Sequence, residues 1–286
     1  MLRFAYNTNG LAHHRVEDAM RILADLGYDG IAITPDVGQI DLDRLHPGEV
    51  ERVRSLAESL GLAISVETGG RFILDPRRKH SPTLLDEDKN GRDRRFEYLC
   101  RCVSLGADLG AECVSFWSGC SPQREEAERG EGAGVEVAWA RLADGVARLL
   151  AFAAERNISL GFEPEPGMFI SRPKGYAQLL ERLGNEGEGL GLTLDVGHCL
   201  CTGDLPVPDV IREWASRLIQ VQLDDTREGF HEHRMFGEGD LDLKGTLASL
   251  EEAGYEGLAQ VELSRNSHNG PDAAKAALQS LREARS

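Results

Sequence analysis

No apolar run in this chain approaches the roughly 20 residues needed to cross a bilayer, which argues against a membrane span. Neither G-x-G-x-x-G nor G-x-x-x-x-G-K-[ST] follows any apolar segment, which removes the familiar phosphate-cradling loops of nucleotide-binding folds. There is no C-x-x-C either. The six cysteines fall at Cys100/Cys102, Cys199/Cys201, Cys113 and Cys120, spacings that match no zinc finger, and they are read as reduced. Basic residues are scarce against acids, 32 to 48 for a net charge of -16, a balance that repels polyanions and makes nucleic acid a poor partner. The opening Met1-Leu2-Arg3-Phe4-Ala5-Tyr6-Asn7 carries no basic region followed by an apolar stretch, so the expected location is cytoplasmic.

What is present suffices for a large core. Of 286 residues, 41% are hydrophobic and 28% charged, a globular composition at a length ordinary for one α/β barrel. A short apolar run, a polar or Gly-rich loop and an amphipathic helix recur eight times. Runs at 2–6, 30–34, 62–67 and 113–117 precede helices near 16–26, 48–60, 92–109 and 135–155. Runs at 158–163, 191–195, 218–223 and 258–262 precede helices near 174–183, 207–215, 243–253 and 271–285. Gly27 and Gly61 stand where the first two helices stop. Such alternation implies a parallel sheet covered by helices. Eight units predict closure into a single (β/α)8 TIM barrel over 1–286 rather than an open doubly wound sheet.

Active sites of these barrels lie where strands end and βα loops begin, so the residues closing each apolar run carry the information. Here they are polar. Run five closes Leu160-Gly161-Phe162-Glu163-Pro164-Glu165 and run six Leu192-Thr193-Leu194-Asp195-Val196-Gly197-His198. Run seven closes Val221-Gln222-Leu223-Asp224-Asp225 and run eight Gln260-Val261-Glu262-Leu263. Carboxylates ending separate strands converge on one mouth, where carboxylate, imidazole and amide donors suit Mg, Mn, Co or Zn. For any single acid, capping of the next helix is an equal account; for the set it is the weaker one.

With Gly237-Glu238-Gly239 in the long loop after strand seven, these residues resemble in order and spacing the xylose-isomerase-like barrels. That family includes sugar and sugar-phosphate isomerases and epimerases, inosose dehydratases and apurinic-site endonucleases, and the resemblance covers essentially the whole chain. Its epimerase branch implies one divalent metal held by Glu163, Asp195, the strand-seven position and Glu262. That position is Gln222 where the branch has histidine, a weaker zinc ligand that a magnesium or manganese site tolerates better. In the endonuclease branch, a loop Asp and His join the histidine at the position of His198 on an additional zinc. His198, His231 and His233 are therefore a candidate second metal site, a source of the imidazole missing at Gln222, or parts of a lid that contacts substrate.

The resemblance implies proton transfer next to the carbonyl of a sugar, sugar phosphate or cyclitol, which needs a base, an acid and an electrophile. Glu163 and Glu262 take the proton-transfer roles, His198 polarises a substrate hydroxyl, and Glu165 is a further candidate acid. A lyase such as a dehydratase, or a hydrolase, uses the same groups on the same scaffold. Gln222 also leaves open a non-catalytic ligand-binding barrel. An endonuclease is disfavoured by the net charge and by strand ends Thr34, Glu67 and Trp117, which lack the histidines of a multi-zinc cluster.

Arg77-Arg78-Lys79-His80 in the loop at 68–90 is a candidate clamp for phosphate or carboxylate, and Arg265 with His268 a second. Trp117 is placed to stack on a sugar face. A solvated surface run, or plain packing for Trp117, competes with each of these. The loops at 68–90 and 118–134 are long enough to serve as lids or partner contacts. The expected partner is a small carbohydrate-like molecule. A homodimer is compatible with such barrels, though no exposed apolar stripe marks one.

Overall fold

Val16, Ala19, Met20 and Leu23 recur at helical spacing, and all four are buried in α1 (Val16–Leu26). The helix stops at Gly27, whose φ of 90° lets its N–H reach Leu23 O at 3.1 Å and Ala24 O at 3.0 Å. The computed structural model describes residues 1–120 and 133–285, and in it this pattern repeats around an outer ring. After α1 come α2 (Glu49–Leu60), α3 (Lys89–Leu109), α4 (Ala133–Ala154) and α5 (Pro173–Leu183). The ring is completed by α6 (Val196–Thr202), α7 (Val207–Trp214), α8 (Leu243–Glu252) and α9 (Gly270–Ala284).

Inside it, parallel strands pair in chain order: β1 (Arg3–Asn7), β2 (Gly30–Ile33), β3 (Ala63–Glu67), β4 (Cys113–Phe116), β5 (Ser159–Phe162), β6 (Leu190–Asp195), β7 (Leu218–Leu223) and β8 (Leu258–Val261). The sheet closes where β8 returns to β1, with Arg3 opposite Leu258 and Tyr6 opposite Val261. This is the (β/α)8 TIM barrel expected from the alternation. One short element escaped the sequence pattern. The Asp195-Val196-Gly197-His198 motif winds directly into α6, because the Asp195 side chain caps it by accepting from His198 N at 2.9 Å. No disulfide links the described cysteines, and none of the described helices is long and apolar enough to cross a membrane.

Strand side chains alternate, so every second residue turns to the barrel axis. Barrels usually fill that axis with branched apolar side chains. Here one layer holds Ser65, Ser115, Thr193, Gln220 and Gln260, all buried. Thr193 Oγ1 donates to Gln220 Oε1 at 3.0 Å, Gln220 Nε2 donates to Glu67, and Gln260 Nε2 donates to Ser65 Oγ at 2.7 Å. Residue 161 must be glycine at this level, because a Cβ there would overlap the Thr193 hydroxyl. The polar layer is a platform for the next one up, where Glu67, Glu163, Asp195, Gln222 and Glu262 stand at the strand ends.

Gln220→Ala strips partners from both Thr193 and Glu67 in a dry interior. The expected loss is about 2–4 kcal/mol, read as a lower urea midpoint at unchanged slope. A loss below about 0.5 kcal/mol would mean that the network does not brace the barrel.

Candidate active site

The strand ends open into a cavity of about 430 Å3. Glu67, Glu163, Gln222 and Glu262 line it from β3 and from the ends of β5, β7 and β8, with Glu165, His231 and His233 supplied by the loops. Asn9, in the 3-10 turn after β1, donates Nδ2 to Glu262 Oε1 at 2.7 Å and so fixes that carboxylate.

The loop after β7 is built outward from the strand. Asp225 N donates to Arg234 O at 3.0 Å and Arg234 N returns to Asp225 O at 2.6 Å. The Asp225 carboxylate accepts from Gly237 N at 2.8 Å, Gly239 N at 3.0 Å and Leu241 N at 2.9 Å, which folds the Gly-Glu-Gly turn onto it. Clamped this way, the loop holds His233 with a φ of 43°, an uncommon conformation for a residue with a side chain, and brings its Nδ1 onto the Asp224 carboxylate. Asp224 in turn lies against Gly197, where any Cβ would collide with its carboxylate. That contact is the reason for the glycine in the Asp-Val-Gly-His motif.

Three imidazoles meet beside this pair. His198 Nε2 lies 3.1 Å from His231 Nε2, which lies 3.1 Å from His233 Nε2. His198 Nδ1 faces Pro164 O at 3.1 Å, an acceptor only, so we assign its proton to Nδ1 and a lone pair to Nε2. His233 Nδ1, facing a carboxylate, carries a proton for the same reason. A proton on His231 Nε2 can serve His198 or His233 but not both, whereas a cation among the three nitrogens would satisfy them together.

Electrostatics point the same way. Burial, then the charges of Glu165, Glu67, Glu262 and Asp195, hold Glu163 well above the carboxylate range. Burial and the Asp224 charge do likewise for Asp195. Glu67 is pushed up to about 8 by burial and Glu262, and Glu165 to about 7 by burial and Glu262. His231 falls to about 4 through burial and the charge of His233. His233 goes up, because the charges of Asp224, Glu262 and Asp195 outweigh its burial.

A divalent metal fits these residues. Asp195 Oδ2 and Gln222 Oε1 are buried without a hydrogen-bond partner, and the amide of Gln222 is spent on Glu67. Ligating atoms of Asp195, His233 and Glu262 all lie within 4.8 Å of one another, as do those of His198, His231 and His233, and those of Glu163, Glu165 and His198. His233 belongs to two of these groups. A loop imidazole therefore stands beside Asp195 and Glu262, where Gln222 offers only an amide oxygen.

The structure sorts the remaining sequence candidates. Lys79, His80, Trp117 and Arg265 line the cavity with Glu165. Arg77, Arg78 and His268 do not: they are exposed and outside it. Arg77 N and Arg78 Nε both bond Asp75, at 2.8 and 2.7 Å, and that turn faces them away. The 3-10 turn Ser264–Asn269 sets His268 Nδ1 against Arg265 O at 3.2 Å. His198 is buried, with Nδ1 facing Pro164 O and Nε2 facing His231. Of the second candidate lid, residues 121–132 lie outside the described residues.

Sequence reasoning missed Glu67, Asn9, Asp224 and Arg71. Glu67 closed an apolar run and had the same signal as Glu163. Asp224 was hidden because alternation aims it away from the axis, and its seat, Gly197, lies two residues past the end of β6.

The pattern of the xylose isomerase-like TIM barrel family matches residues 20–284, and the chain belongs to that family. It is 25% identical over 252 residues to the L-ribulose-5-phosphate 3-epimerase UlaE of Shigella flexneri serotype 5b, covering 86% of this chain and 81% of that one. Among solved structures it resembles the 3-keto-D-glucoside 4-epimerase YcjR of E. coli in its apo form, with a TM-score of 0.77 at 15% identity over 99% of this chain and 100% of that chain. It also resembles the IOLI protein solved with a binding zinc atom, with a TM-score of 0.77 at 15% identity, over 99% and 98% of the two chains. At such identity these two likenesses are of fold.

Two outcomes test this site. Gly197→Ala should force Asp224 off its seat, at a cost of about 1–3 kcal/mol in a thermal melt and with loss of bound metal; full stability and full metal content would refute the packing. Glu67 and Glu165 have folded values of about 8 and about 7, above the ordinary 4.5, so the unfolded chain loses these protons first. Their stabilising contribution is complete below about pH 4.5 and is lost as pH rises through about 7 to 8. The metal-stripped protein should melt progressively lower over that window, and a divalent cation should reverse the trend. A melting temperature independent of both would rule this out.

Proposed function

We propose that the chain is a divalent-metal-dependent isomerase or epimerase that moves a proton at the carbon next to the carbonyl of a keto-sugar or cyclitol. The carrying observation is that Glu163 and Glu262, three strands apart around the barrel, line the same cavity. A substrate held between them has one carboxyl group on each face, the arrangement that proton removal and return at a single carbon requires. Asn9 donates to Glu262 Oε1 and so holds that carboxylate in place for proton transfer. Glu163, held above its usual range by burial and neighbouring acids, is suited to carry a proton at neutral pH before the metal binds. When bound, the metal would polarise substrate oxygens and keep its carboxylate ligands ionised.

Asp195, Glu262 and His233 are the residues we assign to that metal, with Glu163 and Gln222 beside them. Because His233 keeps its Nδ1 proton on Asp224 and has one lone pair to give, a second cation is left to His198 and His231, with Glu165 adjacent at 3.7 Å from His198 Nε2 and 3.8 Å from His231 Nε2. Trp117 lines the cavity with little exposed surface, its ring held by the Arg95 guanidinium at 4.2 Å and by His80 at 5.0 Å between centroids, and is assigned to pack against the sugar. The relative whose name is an epimerase of a ketose phosphate, and the structural neighbour holding zinc, support this reading.

Metal content by plasma mass spectrometry, paired with deuterium exchange from solvent into ketoses, ketose phosphates and inososes, tests the assignment. Wild type should hold at least one metal per chain and exchange the proton next to the carbonyl. Glu262→Gln should lose metal, and both Glu163→Gln and Glu262→Gln should slow exchange by about 100-fold or more. His233→Ala should also lose metal. Wild-type exchange in none of the three classes of substrate, or undiminished exchange in both glutamine variants, would sink the reading.

A further inference from the structure

Arginines over most of this surface are met by acids. Arg3 pairs with Glu112 at 2.6 Å, Arg172 with Asp204 at 2.8 Å, Arg182 with Glu136 at 2.9 Å and Arg285 with Glu251 at 2.6 Å. In a chain with 48 acids to 32 bases such pairing is easy to achieve. Yet among the described residues no ion pair forms at Arg71, Lys79 or Arg265, and all three line the mouth of the acid-floored cavity. Arg71 and Lys79 come from the loop between β3 and α3, and Arg265 from the turn after β8.

All three stand beside imidazoles of the cavity wall: His80, next to Lys79 in the chain, donates its backbone N–H to Arg71 O at 2.7 Å, and Arg265 faces His231. The side chain of Arg265 reaches only a carbonyl, His231 O, at 3.4 Å, and that leaves its other donors open. Asn9 and Ser264 line the wall with them and add neutral donors. Arg71 also borders a smaller adjoining cavity of about 170 Å3, lined in part by Asn9 and Thr34, so there is space beside it beyond the main cavity.

We propose that Arg71, Lys79 and Arg265 form an oxyanion subsite, and that the substrate is an acidic sugar derivative whose phosphoryl or carboxylate substituent binds there while its carbonyl end lies between Glu163 and Glu262. The placement of the carbonyl end rests on the function proposed above; the subsite itself does not. A neutral sugar has no use for three cations. A dianion approaching a chain of net charge -16 needs a local reversal of sign, and a guanidinium fork supplies it with directed donors. The separation of roles follows: the floor handles the carbonyl carbon, the rim selects for charge.

The test uses the metal-loaded full-length protein, wild type and the double variant Arg71→Gln/Lys79→Gln, with Arg265→Gln as an independent second variant. These side chains are at the rim, so folding is checked by an unchanged melting temperature. Inorganic phosphate, titrated by calorimetry, should bind wild type and weaken at least about 10-fold in either variant. In proton exchange, the preference for a ketose phosphate over the neutral ketose should fall at least about 10-fold, through KM rather than kcat. A sugar acid run alongside separates the two anions: loss of its preference alone assigns carboxylate, loss of the phosphate ester's preference alone assigns phosphoryl. Phosphate bound equally by wild type and both variants, or preferences unchanged for both anions, overturns the subsite. If no substrate is turned over but phosphate binding depends on the rim, the subsite stands and the proposed reaction falls.

Discussion

The contact between Asp224 and His233 sets the rest of the site. It joins the end of β7 to the middle of the loop that follows, and both partners are held from behind, Asp224 by the absence of a side chain at Gly197 and His233 by the bridge between Asp225 and Arg234. From His233 the order passes to His231 and then to His198, whose ring is oriented by Pro164 O and whose backbone is capped by Asp195. Two strand ends, one loop and one short helix are thereby keyed to a single buried charge pair. Paired buried charges are tolerable only with such support, because removing either partner leaves the other uncompensated.

The cavity floor stores unfavourable electrostatics. Acids at neighbouring strand ends raise one another's proton affinity, and the glutamine and serine layer beneath them offers hydrogen bonds but no positive charge. Such a floor is poor as a stabilising core and well suited to a divalent ion, which gains the energy the carboxylates lack. This barrel has given up part of the apolar packing that its fold class ordinarily uses, and binding would recover the difference.

How much of this could be read from the sequence depended on geometry that is local in the chain. The alternation of apolar runs and amphipathic stripes determines the order of elements, and residues closing a run point to the mouth by strand periodicity alone, so Glu163, Gln222 and Glu262 were visible. Contacts across the barrel were not. Nothing near residue 197 says that Asp224 packs on it, and nothing near Glu67 says that Gln220 and Gln222 serve it. The basic run at 77–80 was split by Asp75, which accepts from the Arg77 backbone N–H and the Arg78 guanidinium, while Lys79 and His80 line the cavity. Runs of like charge carry no information about which way a turn will face each member, and Arg71, outside the run, was passed over.

Asn9 and Glu262 meet across the seam where the last strand returns to the first, and Ser267 Oγ adds a bond to Asn9 O at 2.6 Å. The two halves of this contact are 253 residues apart, with seven strands between them. A growing chain can pair its early strands and expose Asn9, yet the carboxylate that Asn9 must hold arrives only after the last strand of the ring. The site is therefore coupled to closure of the ring, and a product cut before β8 would have neither a closed ring nor a finished proton-transfer group.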